Sequence, residues 1–180
     1  MYKKILVVIE ESAASESAVR LGIEMARAHR ASLFLFHVLP KFEVMGLDVL
    51  DSFGASSQEF ESKAREQASF LLASACALAE SEGVQSFRAI GCAEDDAKCV
   101  ADAAASHRCD LIVVGTEGRN ALVRLITGNI VPGLITASSV PVIVCKEVAS
   151  TSKRSRRTKL SLRSKSRSDS VKDVSPVFIP

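Results

Sequence analysis

Three glycines, Gly115, Gly118 and Gly128, have the spacing of a phosphate-binding turn. They follow the apolar run Leu111-Ile112-Val113-Val114 as Gly115-Thr116-Glu117-Gly118, then nine residues, then Gly128-Asn129. Glycine tolerates positive φ and has no Cβ, so it stands where a chain turns sharply or where a ligand must approach the backbone closely. A helix start just beyond would add unpaired N–H donors and the positive end of a helix dipole, and both favour an anion. Turn glycines with no ligand have the same spacing, so the spacing alone leaves both readings open.

Other residues could do chemistry nearby. Arg119 and Arg124 lie between the second and third glycines, where a guanidinium can pair with phosphate oxygens or simply be a solvated loop charge. Arg119, directly after Gly118, is the better placed. Two carboxylates, Glu10 and Glu11, close the first apolar run of the chain. His29, His37 and His107 assemble into no Ser/His/Asp or Cys/His constellation, and no dedicated catalytic base is identifiable. The five cysteines are odd in number and include no C-x-x-C pair, which points to buried thiols in a reducing compartment rather than a zinc site or a disulfide framework. Neither G-x-x-x-x-G-K-[ST] nor a G-x-G-x-x-G after the first strand is present, so Walker-type hydrolysis and dinucleotide binding of the usual kind are disfavoured.

These residues need a scaffold, and the hydrophobic pattern predicts one. Short runs rich in β-branched and apolar residues at 3–9, 32–39, 84–89, 111–114 and 140–145 read as strands. Several are almost continuously apolar, as expected of strands covered on both faces in a parallel sheet. Between them, 12–30 places Ala14, Ala18, Leu21, Gly22 and Met25 on one helical stripe, with Ser12 or Ser15 as the cap. Residues 58–82 repeat the pattern through Ala64, Ala68, Leu71, Leu72, Ala75, Leu78 and Ala79, and Gly83 supplies the stop. Residues 93–107 and 129–138 give two more helices, the last with Pro132 in its first turn. Strict alternation of strand and helix calls for an α/β domain with a parallel sheet, right-handed crossovers and helices on both faces. In such sheets ligands bind beyond the carboxyl ends of the strands, where the strand order reverses. Residues 40–57 form a long connection, expected as a flap near the pocket or an insertion.

Charge divides the chain in two. The overall formal charge is +2, yet residues 150–180 carry nine Lys or Arg against two Asp, net +7, and residues 1–149 carry 14 basic against 19 acidic residues, net −5. The tail also holds nine Ser and no helical stripe, a composition that cannot offset the entropy of ordering. Its runs K-R-S-R-R-T-K and R-S-K-S-R-S suit contact with an anionic partner, nucleic acid or a membrane surface, through counterion release. They lack the interleaved aromatics that stack bases. Lys3 and Lys4 precede an apolar run of only five residues, shorter than the roughly 7–15 of a signal peptide. No segment approaches the roughly 18 apolar residues of a membrane span, and a cytoplasmic location is expected.

The glycine pattern resembles that of the nucleotide-binding members of the universal stress protein family, which carry G-x-x-G, nine residues, then G-[ST] after the fourth strand. The resemblance spans residues 1 to about 147 and includes the opening I-L-V-V-I with Ser12 and Ser15 and the closing S-S-V-P-V-I-V. It implies a doubly wound, Rossmann-like fold of the adenine nucleotide alpha hydrolase-like kind, five parallel strands in the order 3-2-1-4-5, over residues 1–147, with 148–180 as a basic, disordered Ser/Arg-rich tail. It implies further that one subfamily binds ATP and another does not. Carried over by position, Val38 and Val114 flank the adenine, while Gly115, Gly118, Gly128, Asn129 and Ile130 present backbone groups to ribose and phosphates, with Arg119 beside them. Glu10 occupies the place of a usual Asp, and Glu11 that of a small residue. Asn129 replaces Ser or Thr but keeps an amide donor that can cap a helix. His37, beside Val38, is expected to be structural or to meet the adenine edge. Two carboxylates near a triphosphate repel it unless a divalent cation intervenes or one of them turns aside, so ATP is expected with Mg or Mn. Family precedent also implies a homodimer through the last strand, whose ends are Val140 and Cys145.

Overall fold

Five parallel strands lie in the order β3-β2-β1-β4-β5, in a computed structural model that describes residues 1–39, 57–116 and 130–146. In chain order the elements are β1 (Lys4–Val8), α1 (Ala13–His29), β2 (Ser32–Leu39), α2 (Ser57–Ser81), β3 (Ser86–Cys92), α3 (Asp96–Ser106), β4 (Leu111–Thr116), α4 (Ile130–Ala137) and β5 (Val142–Lys146). This is the doubly wound, helix-covered architecture that the alternating pattern predicts. The connection at 40–56, the glycines Gly118 and Gly128, and the tail at 148–180 lie outside the described residues.

The near-continuous apolar strands feed two cores. Ile5, Val7, Leu33, Leu35, Leu111 and Val113 point to the side covered by α1 and α2. Their neighbours Leu6, Val8, Phe34, Phe36, Ile112 and Val114 point to the side covered by α3 and α4. Side chains alternate along a strand, so each apolar run supplies both layers at about 1.5–3 kcal/mol per large side chain buried. At the amino edge the Asp110 carboxylate accepts from the backbone N–H of Lys3 at 2.7 Å and of Lys4 at 3.2 Å, tying the start of β4 to β1.

Several boundaries differ from expectation. The third strand begins at Ser86 rather than at 84, because the Val84 N–H donates to the Ala79 carbonyl at 2.9 Å and so belongs to the end of α2. Gly83 there adopts φ +72°, the left-handed conformation that ends helices. The last strand begins at Val142 rather than Val140, since the Val140 N–H goes to the Ser138 hydroxyl and Pro141 has none to give. The fourth strand runs on through Gly115 and Thr116, which pair with Cys145 and Lys146, so Gly115 is a strand residue and not the turn residue expected of it. In α1 the buried face is Ala14, Ser15, Ala18, Val19, Gly22, Ile23 and Ala26, with Leu21 and Met25 at its margin rather than its centre.

Candidate functional site

The strand order reverses at β1, which pairs with β2 on one side and β4 on the other. Its carboxyl end runs into α1 through a turn whose backbone is held by named partners. The Ile9 N–H donates to the Phe36 carbonyl at 2.8 Å and the Ser12 N–H to the Glu10 carbonyl at 3.0 Å. The Ile9 carbonyl lies 2.7 Å from Nδ1 of His37, and a carbonyl can only accept, so that nitrogen carries the proton. Burial pulls the His37 pKa below its ordinary value, against the opposing effect of that hydrogen bond.

Both candidate caps of α1 are used, in different roles. Ser12 is the N-cap, its hydroxyl accepting from the Ser15 N–H at 3.0 Å. Ser15 is 2% exposed, and its hydroxyl accepts from the Glu10 N–H at 2.8 Å while facing the Val8 carbonyl at 3.5 Å. The sequence reading missed this second role. A serine inside an apolar helical stripe is the available signal, since a buried hydroxyl needs a partner.

Val38, Val114 and Ile130 all belong to the core on the α3–α4 side. Val38 and Ile130 are half-buried and Val114 is wholly buried. Glu10 stands exposed two residues beyond β1. Gly115 continues the opposite row of β4, and a Cβ there would lie 2.5 Å from the Ala14 carbonyl carbon and 2.7 Å from the Ser15 nitrogen. The absent side chain is therefore accounted for by the close passage of the first turn of α1. Gly118, Arg119, Arg124, Gly128 and Asn129 lie outside the described residues. Glu11 is exposed, and its Oε2 accepts from the Nε2 amide of Gln67 on α2. No local pattern signals that contact, because 56 residues separate the partners.

A surface groove of about 440 Å³ opens at the other edge of the sheet, lined by Arg27, Arg30, Ser32 and Glu82. Arg27 is already paired with Glu82 at 2.8 Å, and the carboxyl ends of α1 and α2 there disfavour an anion. The groove is remote from the glycine-bearing edge. Among the described residues no cluster of His, Cys, Asp and Glu could hold a metal ion.

A family model described as the universal stress protein family matches residues 1–146. The chain belongs to the universal stress protein family. Universal stress protein MJ0531 of Methanocaldococcus jannaschii is 26% identical over 149 residues, which is 82% of this chain and 84% of that protein. Among solved structures, protein MJ0577 superposes with a TM-score of 0.68 at 23% identity, covering 83% of this chain and 99% of that one. A universal stress protein of Archaeoglobus fulgidus, solved in complex with dAMP, superposes with a TM-score of 0.56 at 22% identity, covering 81% of this chain and 98% of that one. At these identities the superpositions establish the universal stress fold.

Proposed function

We propose that this universal stress protein binds ATP or a related adenine nucleotide at the carboxyl edge between β1 and β4 and acts as a regulatory protein. The observation that supports the reading is that Val38, Val114 and Ile130 belong to one apolar core, with Val114 on β4 beside β1 at the switch point and Glu10 just beyond the end of β1. An apolar surface suits a purine ring, and a carboxylate suits the donor hydroxyls of a ribose. The dAMP complex of a protein with the same fold lends support. Gly118, Arg119, Gly128, Asn129 and Ile130 would take the phosphates, with Mg or Mn offsetting the carboxylates of Glu10 and Glu11. The fold also leaves β5 at a sheet edge, which a second copy of the chain would cover. Its reduced thiols accord with a cytoplasmic protein.

The experiment is direct. Purified protein is denatured and the supernatant analysed for adenine nucleotide, and the native chain is titrated with ATP in Mg, in Mn and in EDTA. Released nucleotide, tighter binding with the cation, and loss of both in a folded Gly128→Val variant are expected. Absence of released nucleotide together with no ATP binding would refute the proposal. The net +7 of residues 150–180 favours one second reading, an interaction protein whose tail contacts an anionic partner. A chain that holds no nucleotide but binds heparin only when the tail is present is the result that reading predicts.

A further inference from the structure

We propose that the outer face of α2 is a docking surface for this chain's own basic tail, with Val177, Phe178 and Ile179 seated on Phe70, Ala73 and Ala77 and the preceding Lys and Arg residues set against Glu66 and Glu80. The contact is independent of nucleotide binding.

The observation behind it is a second apolar row on a helix whose first row is already used. Leu72, Ala75, Cys76 and Ala79 are buried in the core shared with α1. Glu66, Phe70, Ala73, Ala77 and Glu80 are all exposed, and they recur at alternating i+4 and i+3 steps, which aligns them along the opposite side of the helix. Phe70 is 65% exposed, so the fold itself makes little use of its ring. From Phe70 to Ala77 the row is about 10 Å long, the length of roughly three extended residues. A carboxylate bounds it at each end, and among the described residues neither Glu66 nor Glu80 has an ion-pair partner.

Charge selects the occupant. A second copy of α2 is a poor one, because pairing the row with itself in either direction sets Glu66 and Glu80 against the same two carboxylates. Residues 40–56 carry Glu43, Asp48 and Asp51 against Lys41 alone, the same sign as the row. The tail has the opposite sign. Arg163, Lys165, Arg167 and Lys172 outnumber Asp169 and Asp173, and the apolar Val177, Phe178 and Ile179 follow them. A basic run leading into a short apolar run complements an apolar row bounded by carboxylates. Reach is ample. The tail follows β5, which lies three strands from β2, where α2 packs, a separation of about 14 Å across the sheet. The residues between Lys146 and Val177 can span up to about 100 Å. Because the segment is tethered, its effective concentration is on the order of millimolar, and a weak intrinsic affinity suffices.

The test uses the full chain with p-benzoylphenylalanine in place of Phe70, which keeps an aromatic group on the row. An equal mixture of isotope-labelled and unlabelled copies is irradiated, and the cross-linked peptides are read by mass spectrometry. A link from position 70 to residues 174–179 of the same copy is expected. Its yield should fall by about threefold or more when Glu66→Lys is combined with Glu80→Lys, and likewise in about 1 M salt, where screening is nearly complete. Phe178→Ser should abolish it. Every substituted position on α2 is exposed, so the far-ultraviolet circular dichroism should not change. No link to the tail would overturn the proposal, as would a link that joins labelled to unlabelled copies. A tail link of undiminished yield after the charge reversal would overturn it as well.

Discussion

A Cβ added at Gly115 would meet the backbone of Ala14 and Ser15, which cannot rotate away as a side chain can. Gly115→Ala should therefore force β4 and the first turn of α1 apart, at an overpacking cost of about 1–3 kcal/mol. Urea denaturation measures the loss, and an unchanged midpoint would contradict the packing account. The two shifted imidazoles make a separate prediction. Burial lowers the pKa of His37, and burial followed by the nearby Lys4 ammonium lowers that of His107, whose ring stacks on Phe34 at a centroid distance of 4.1 Å. A folded pKa below the unfolded 6.5 means that the unfolded chain takes up these protons first. Their contribution to stability is therefore complete above about pH 6.5 and is lost as pH falls from there through the lower folded values. Urea midpoints should drop on acidification across that window, and His107→Asn should flatten the slope. A midpoint that rises as pH falls would refute this. Cysteine chemistry is quiet by comparison, since burial pushes the Cys99 and Cys109 thiols up to about 11 and about 12, leaving little thiolate to react at neutral pH.

At the scale of elements, the start of α1 carries more than one helix end. Ser12→Ala removes an N-cap and should cost about 0.5–2 kcal/mol. Ser15→Ala removes a buried hydroxyl that accepts from the part-buried Glu10 N–H and faces the Val8 carbonyl, at about 1–3 kcal/mol, and also loosens the turn between β1 and α1. Denaturant unfolding should rank Ser15→Ala as the more damaging, with ATP affinity falling more in that variant, and the reverse order would defeat the assignment of roles. That both serines matter was legible in the sequence, but which does what was not, because the Glu10 contact depends on how tightly the turn closes. The strand and helix order, Pro132 in the first turn of α4 and the Gly83 stop were all legible from local pattern. The burial of Val19 and Ile23 in place of Leu21 and Met25 was not, because all four lie on one broad apolar face of α1 and only the sheet beneath decides which part of it is the centre. Gly115 shows the same limit. Its sequence context announces that something comes close to the backbone, but the helix turn that does so lies about a hundred residues earlier. The length of α2 was legible, whereas the exposure of its first turns, residues 58–67, was not, since periodicity says nothing of what lies underneath.

For the whole molecule the decisive features are an acidic body with a basic tail and an unfinished sheet edge. Among the described residues no helix is long and apolar enough to cross a membrane. On β5, Val142, Ile143, Val144 and Cys145 are all only half-buried, and Ile135 on the adjoining α4 is 60% exposed. An apolar edge strand invites pairing with another strand, and a second copy of β5 would supply one. The ladder dictates how to test this. The Ile112 N–H donates to the Pro141 carbonyl at 3.0 Å, so in a parallel pair the backbone groups of 141, 143 and 145 face β4 and those of 142 and 144 face outward. Val144→Pro removes one outward N–H without taking a bond from β4, a substitution that edge strands tolerate. Sedimentation of the wild-type chain at micromolar concentration should give a dimer. The Val144→Pro variant, with unchanged far-ultraviolet circular dichroism, should give a monomer. A monomeric wild type would remove the proposed dimer altogether, and a folded proline variant that remains dimeric would move its interface away from β5.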